Sequence, residues 1–426
     1  MTAIAAAPPP LDARVRQRAV VASISGNVLE WYDFAVYGYF APIIAQKFFP
    51  SDSPDSSLLA AYGAFAAGFL MRPLGGFLFG HLGDRIGRRR TLILSIVMMA
   101  GPTFLIGVMP DASVLGVWAA VAVVLMRMLQ GLSVGGECTT SVTYLVEQAP
   151  PDRRGLYASW INFGCIGGIL LGSAVGAIVH TFWEGEVQDW AWRLPFLAGL
   201  SVGVLGLLLR RGLPDSAKGS ELREHSPVAQ AFRHEWRSML RVCGIWMMNA
   251  VGFYMMFLYI TTYLQREVGL SAAVALDINT ISMVVLLVTI PVAGYVSDLV
   301  GRRIFMVAVP VMMLVLAYPL LWVMHHADPA LILPAQIVFA LMLGSYGPVV
   351  SAVMAELFPR AVRCSGMSIA YNLTLGLIGG TTPMVATYMI ERTDNDLSIA
   401  YYLMAAAAVS FVSALRTPET AREPLR

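Results

Sequence analysis

Charge is what this sequence is short of. Asp, Glu, Lys and Arg make up 13% of its 426 residues, about half the share usual in a soluble globular chain. Nothing in so sparse a charge pattern offers a nucleic-acid surface. Cysteine is scarce as well. Cys138, Cys165, Cys243 and Cys364 stand singly, with no CxxC pair, which argues against a disulfide framework and a thiolate metal site. There is no Walker sequence or other phosphate cradle. The glycine-rich runs "GCIGGILLGSAVG" (164–176) and "GLIGGTTP" (376–383) read instead as seams where helices approach closely. The first twenty residues, "MTAIAAAPPPLDARVRQRAV", lack a signal peptide's apolar core and cleavage site and read as a cytoplasmic tail.

What the chain has in quantity is apolar surface. Hydrophobic residues make up 57% of it and the mean hydropathy is +0.66. A bilayer core needs about 20 apolar residues per helix. On that ruler the sequence predicts twelve spans: 19–45, 57–81, 91–109, 113–146, 156–180, 192–211, 240–265, 273–297, 303–324, 329–354, 365–390 and 397–415. The expected fold is an all-α polytopic membrane protein with twelve transmembrane helices in two six-helix bundles. Of the 29 lysines and arginines, 23 fall in alternate loops and the two tails. The positive-inside rule then puts both termini in the cytoplasm, in a bacterial-type inner membrane.

The chain also repeats. "GHLGDRIGRRR" (80–90) returns as "GYVSDLVGRR" (294–303), and "EQAPPDRRG" (147–155) is echoed by "ELFPRAVRCSG" (356–366). Two parallel halves are the plan of a rocking carrier. The expected divisions are 1–211, a polar cytoplasmic linker at 212–240 with a surface helix, and 241–426.

These motifs carry a resemblance. "GHLGDRIGRRR" resembles the signature loop of the major facilitator superfamily. With "GNVLEWYDF", "RPLGGFLFGHLGDRIGRR", "RMLQGLSVGGE", "WAWRLPF" and "AELFPRAVRCSG", the chain looks like a member of its metabolite:proton symporter family, from about residue 18 to 420. The resemblance implies uptake of a small carboxylate-bearing solute by alternating access, with no covalent chemistry and no cofactor beyond the coupling proton. Members carry citrate, 2-oxoglutarate or shikimate, or the osmolytes proline and glycine betaine. Arg127 and the short tail "TPETAREPLR" lean towards an organic acid such as a di- or tricarboxylate; "EWYDFAVYGY" leans towards the osmolyte branch. A solute sensor that binds without transporting is the alternative of another class. The expected partners are the solute, protons and the bilayer, with a monomer as the working unit.

Certain polar residues interrupt the apolar spans. Glu30 and Asp33 stand three apart on one helical face, which Asn27 and Tyr37 extend. An intramembrane carboxylate is a functional candidate, so both are read as proton-coupling candidates; a fixed ion pair with Arg72 or Arg127 is the alternative. Glu137, about 15 Å along the helix from Arg127, is a third protonatable site or a packing bridge. Arg127 offers a planar fork that fits a carboxylate, and Gln130 shares its side. Arg72 reads as a coupling or structural arginine. The second half has almost no charge within its spans and supplies Asn249, Tyr254, Tyr346 and Asn372, which join Asn162 as candidate solute contacts; interhelical hydrogen bonding would explain them equally. Asp84, Arg88 and Glu147, with their repeat mates Asp298, Arg302 and Glu356, are the expected cytoplasmic gate.

Overall fold

Almost every described residue is helical. The computed structural model describes residues 13–52, 54–183, 186–211, 227–326 and 328–425. The first half comprises α1 (Ala13–Phe48), α2 (Pro54–Arg85), α3 (Arg88–Val108), α4 (Val117–Gln148), α5 (Arg154–Phe182) and α6 (Arg193–Arg211). A surface helix α7 (Pro227–His234) leads into α8 (Trp236–Arg266), α9 (Ala272–Val300), α10 (Arg302–Met324), α11 (Pro329–Leu357), α12 (Arg363–Thr393) and α13 (Ser398–Leu415). Eleven of these are long and apolar enough to cross a bilayer. The twelfth spanning helix is α1, whose apolar character is diluted by Asn27, Glu30 and Asp33. The fold is the expected polytopic one. Most of the expected linker, residues 212–226, and the first twelve residues lie outside the described residues.

Each half is a bundle. In the first, α2 packs on α4, α1 on α5 and α3 on α6; in the second, α9 packs on α11, and α10 and α8 on α13. Two seams join the halves: α2 against α12, and α5 against α9 and α11. In lipid the apolar effect does not drive helices together, so close packing and hydrogen bonds must. Glycine makes both seams and bundle contacts possible. A Cβ on Gly131 would strike the carbonyl oxygen of Gly68, and one on Gly135 the carbonyl of Arg72, so α4 lies directly on α2. On the other face of α2, a Cβ on Gly80 would lie 2.9 Å from Ser365 Cα, and one on Gly76 would lie 2.9 Å from the Ser368 carbonyl. One helix thus uses two glycine faces, one for its own bundle and one for the seam with the other half.

Both helices that flank the centre from the second half are irregular. Helix α8 widens to a π turn at Tyr254–Tyr259, and α12 does so at Thr374–Gly379. Such widening frees backbone groups and is frequent at functional sites.

The two glycine faces should respond differently to bulk. Gly131→Val should destabilise the bundle by about 1–3 kcal/mol, as overpacking does, and lower the melting temperature. Gly80→Val should leave the bundle intact but force the α2–α12 seam apart. Spin-label distances between α2 and α12 read the second effect, and a melting curve the first. Equal effects of both variants on both readouts would refute the division.

Candidate functional site

A cavity open to solvent, with about 550 Å³ of empty space when the adjoining solvent is counted, lies between the halves. From the first half, α1 supplies Trp31 and α5 supplies Asn162, Cys165 and Ile166. From the second, α8 supplies Trp246, Asn249 and Phe253, while Tyr371 and Leu375 come from α12; α9 and α11 complete the wall with apolar side chains and glycine. Trp31 meets Phe253 edge-on at 5.9 Å between centroids, and Trp246 meets Tyr371 at 4.9 Å. No side chain on this wall is charged. It is an aromatic chamber with two carboxamides.

The charges expected to serve a solute sit behind that wall, in three buried groups. In the first, Arg127 binds Asp33 directly and also donates to Gln130 Oε1 at 2.6 Å. Asp33 accepts two further hydrogen bonds, from Thr103 Oγ1 at 2.8 Å and Gln130 Nε2 at 3.0 Å. The guanidinium lies 4.1 Å from the Tyr37 ring centroid, and the Tyr37 hydroxyl donates to the Ala61 carbonyl. Arg127, Gln130 and Tyr37 therefore hold one another and Asp33 and do not reach the cavity. In the second group, Glu30 approaches Arg72 at 3.8 Å, and neither side chain has a hydrogen-bond partner among the described residues. In the third, Glu137 is bound by Arg210 and by the Ser95 hydroxyl. Removing one partner of such a buried pair costs about 3–5 kcal/mol, because the other charge is left uncompensated.

The remaining candidates divide. Asn162 and Asn249 line the cavity, and Asn162 also reaches across the halves to Ser351 Oγ at 2.9 Å. The others do not line it. Asn27 donates to the Ser23 carbonyl within its own helix, and Tyr346 donates to the Ile245 carbonyl. Asn372 spans the seam, donating to Gly135 of α4 at 2.6 Å. Tyr254 is buried beside Phe69, with its hydroxyl unpartnered among the described residues.

The face bearing the two motif loops is closed by a reciprocal arrangement. Asp84, from the first motif, accepts hydrogen bonds from the backbone N–H groups of Cys364 and Ser365 (3.3 and 2.8 Å), capping α12 of the other half. Asp298, from the second motif, does the same for Gly155 and Leu156 at the start of α5 (2.8 and 2.9 Å). A helix N-terminus favours an anion by about 0.3–1 kcal/mol at the surface and by up to about 2 kcal/mol when partly buried. Arg88 holds Asp84 and Glu147, and Arg363 joins Glu147 at 2.8 Å. In the mirror position Arg302 holds Asp298 and Glu356. The C-terminal segment completes this layer. Glu419 accepts from the N–H groups of Arg302 and Arg303 at the start of α10, Thr420 Oγ1 donates to Glu356, and Arg154 of the first half reaches the Glu423 carbonyl.

Sequence reasoning missed several of these residues. Arg210 counted as a loop charge, yet it is buried against Glu137 because α6 carries on to Arg211. Arg154 and Arg363 likewise looked like topology charges. The four cavity aromatics carried no signal beyond being apolar.

Two helical bundles with a cavity between them and a charge-latched face are the architecture of a membrane transporter. The chain belongs to the sugar (and other) transporter family, whose model matches residues 18–218 and 218–426, within the major facilitator superfamily. It is 34% identical to the proline/betaine transporter of Escherichia coli over 97% of this chain and 86% of that protein. The alpha-ketoglutarate permease of E. coli is also 34% identical (95% and 94% covered). The citrate-proton symporter of Klebsiella pneumoniae is 33% identical (91% and 89% covered). Its fold matches that of the proton:xylose symporter XylE bound to 6-bromo-6-deoxy-D-glucose, at 18% identity and a TM-score of 0.79 over 97% of this chain and 98% of that one.

The docked tail carries a pH dependence of known sign. Partial burial works against the Glu419 charge, but the N–H groups of Arg303, Ala421, Arg302 and Thr420 outweigh it and hold the carboxyl below its ordinary range. A depressed acid contributes its docking stability fully above its unfolded value and loses it as pH falls through the folded one. A fluorophore at the tail should therefore report docking unchanged from pH 7 to about 5, with release only below the usual glutamate range near 4.3. Glu419→Gln should weaken docking across that whole window. Release of the wild-type tail already at pH 6 would contradict the assignment.

Proposed function

We propose that the protein is a proton-coupled symporter of a small zwitterion of the proline or betaine type. In this reading it works in a bacterial-type cytoplasmic membrane, with the latched face and both termini on the cytoplasmic side. The observation that carries the choice of solute is the cavity wall. Trp31, Trp246, Phe253 and Tyr371 present π faces and edges with no charged neighbour on the wall, and a quaternary or secondary ammonium is attracted to such faces. The amides of Asn162 and Asn249 add neutral hydrogen bonds. A di- or tricarboxylate would bring two or three negative charges into a chamber without a cation, since Arg127 is already engaged by Asp33 and Gln130. Relatives named for 2-oxoglutarate and citrate keep the organic acid as the second reading.

Coupling is assigned to Glu30. A proton placed on Asp33 must compete with three hydrogen bonds to its ionised form, whereas one placed on Glu30 breaks none. Asp33 with Arg127 then acts as the pin between α1 and α4. The reciprocal caps at Asp84 and Asp298 serve as the cytoplasmic gate, and they break when the halves rock.

Proteoliposomes with an imposed pH gradient test this. Glycine betaine or proline should accumulate and citrate and 2-oxoglutarate should not; the reverse pattern would establish the organic-acid reading. Glu30→Gln should abolish accumulation while counterflow continues, and undiminished accumulation would remove Glu30 from coupling. Asp33→Asn should instead lower the melting temperature and depress both modes together. Binding with no counterflow in the wild type would identify a sensor.

A second outcome concerns the gate. Asp84→Asn should shift the halves towards the cytoplasmically open arrangement by about 5- to 30-fold, the equivalent of 1–2 kcal/mol, with solute affinity changed only a few-fold. Spin labels across the latched face read the shift, and an unchanged distance distribution would leave Asp84 as a folding residue.

A further inference from the structure

Arg72 is fully buried, yet its Nε, Nη1 and Nη2 have no hydrogen-bond partner among the described residues. The contrast with the other buried guanidiniums is sharp. Arg88, Arg127, Arg210, Arg302 and Arg363 each donate to carboxylates, carbonyls or amides. A guanidinium carries five N–H donors in a rigid fork, and leaving all of them unused in low dielectric is expensive. The nearest carboxylate, Glu30, stands 3.8 Å away, beyond hydrogen-bond reach, and both of its oxygens are equally unpartnered.

The neighbourhood shares the deficit. Trp31 Nε1 and the Tyr254 hydroxyl, both buried, also lack partners among the described residues. The Arg72 guanidinium lies 5.9 Å from the Trp31 ring centroid and 5.6 Å from that of Phe69, and Phe69 abuts Tyr254 at 6.4 Å. Unpaired donors and acceptors from α1, α2 and α8 therefore gather at one place, beside Trp31, which also lines the aromatic chamber. A purely structural ion pair would close to hydrogen-bond distance, as Asp33 and Arg127 do a turn away.

The geometry points to Arg72 as the anchor for the carboxylate of the transported solute, with Trp31 as the partition between anchor and chamber. The inference rests on the zwitterion reading above and deepens it: the ammonium stays against the aromatics while the carboxylate passes the edge of Trp31 to the guanidinium. One free fork fits one carboxylate, bidentately. Charge balances if Glu30 takes one proton from the outer solution as the carboxylate arrives. The guanidinium is then matched by the solute, and Glu30 is neutral. When the solute leaves, the proton leaves too and Glu30 becomes the counter-ion of Arg72 again. The other charged or titratable groups near Glu30 are Glu137 and Cys138 of α4, Cys165 of α5, Tyr254 of α8 and Tyr371 of α12.

The test uses the full-length purified protein with three probes: glycine betaine, L-proline and choline, which keeps the trimethylammonium but has no carboxylate. Wild type should bind betaine well in preference to choline. Arg72→Gln should weaken betaine by about 100-fold, the scale of losing a buried charged hydrogen-bond partner, and leave choline unchanged, so that the preference collapses. Arg72→Lys, which keeps the charge and loses the fork, should fall between, at about tenfold; it carries the test if the glutamine variant does not fold. A betaine-to-choline ratio that survives in a folded Arg72 variant overturns the anchor and leaves the zwitterion reading standing. Wild-type protein that binds neither betaine nor proline overturns that reading itself, and the anchor with it.

Discussion

An ionised side chain in low dielectric must find a counter-charge, and the first half of this molecule is arranged around that demand. Its interior charges form three pairs: Asp33 with Arg127, Glu30 with Arg72, and Glu137 with Arg210. These pairs tie α1 to α4, α1 to α2, and α4 to α6. Among the described residues, the buried ion pairs of the second half sit instead at its helix ends, where Arg302 holds Asp298 and Glu356. The core of that half is a broad packing of Met, Val, Leu and aromatic side chains, interrupted by two π turns beside the cavity. Buried charge is thus concentrated in the first half and helix irregularity in the second, the division that the proposed coupling would use.

The latch on the motif face makes a different use of charge. Asp84 and Asp298 each hold the start of a helix in the opposite half through backbone N–H groups. Backbone donors vanish as partners only when the whole helix moves, so this bond reports rigid-body position and little else. Hydrogen bonds to a charged group are worth about 1.5–3 kcal/mol each. A two-state protein needs about 5.5 kcal/mol of differential binding to invert a 1:99 population. The two caps make four such bonds, about 6–12 kcal/mol in total on that scale, and the Arg363–Glu147 pair adds a buried contact across the halves, so opening this face needs compensating contacts in the other arrangement.

Much of this was legible in the sequence because the bilayer imposes coarse rules. Span length, the lysine and arginine bias and the repeated "GHLGDRIGRRR" and "GYVSDLVGRR" loops each follow from a single physical constraint. The candidate site was harder to read. Arg127 looked like a solute contact because a guanidinium in a span demands an anion, and no periodicity says whether that anion is Asp33 or a ligand. The wall residues Trp246, Phe253 and Tyr371 lie on helices apolar nearly all round, where a hydrophobic pattern cannot single out the side that meets a cavity, and Trp31 stands between the more conspicuous Glu30 and Asp33. Arg210 was misplaced because positive residues near span ends usually snorkel to the surface; this one turns inward to Glu137.

The separation of charge from cavity bears on how coupling can work. If the solute sat beside Arg127, it would have to displace a carboxylate already held by three hydrogen bonds, and the exchange would be slow and costly. In the proposed reading the chamber avoids that competition, because the solute meets aromatic faces first. Trp31 lines the chamber on one side and lies 5.9 Å, ring centroid to guanidinium, from Arg72, whose pair with Glu30 makes no hydrogen bond among the described residues. Since α1 carries Glu30, Trp31 and Asp33 within a single turn, a small rotation of that helix against α2 alters the Glu30–Arg72 separation and the partition together. On the proposed assignment coupling needs no long relay, because one helical turn carries the carboxylate proposed to take the proton, the wall residue Trp31 and the ion-paired Asp33.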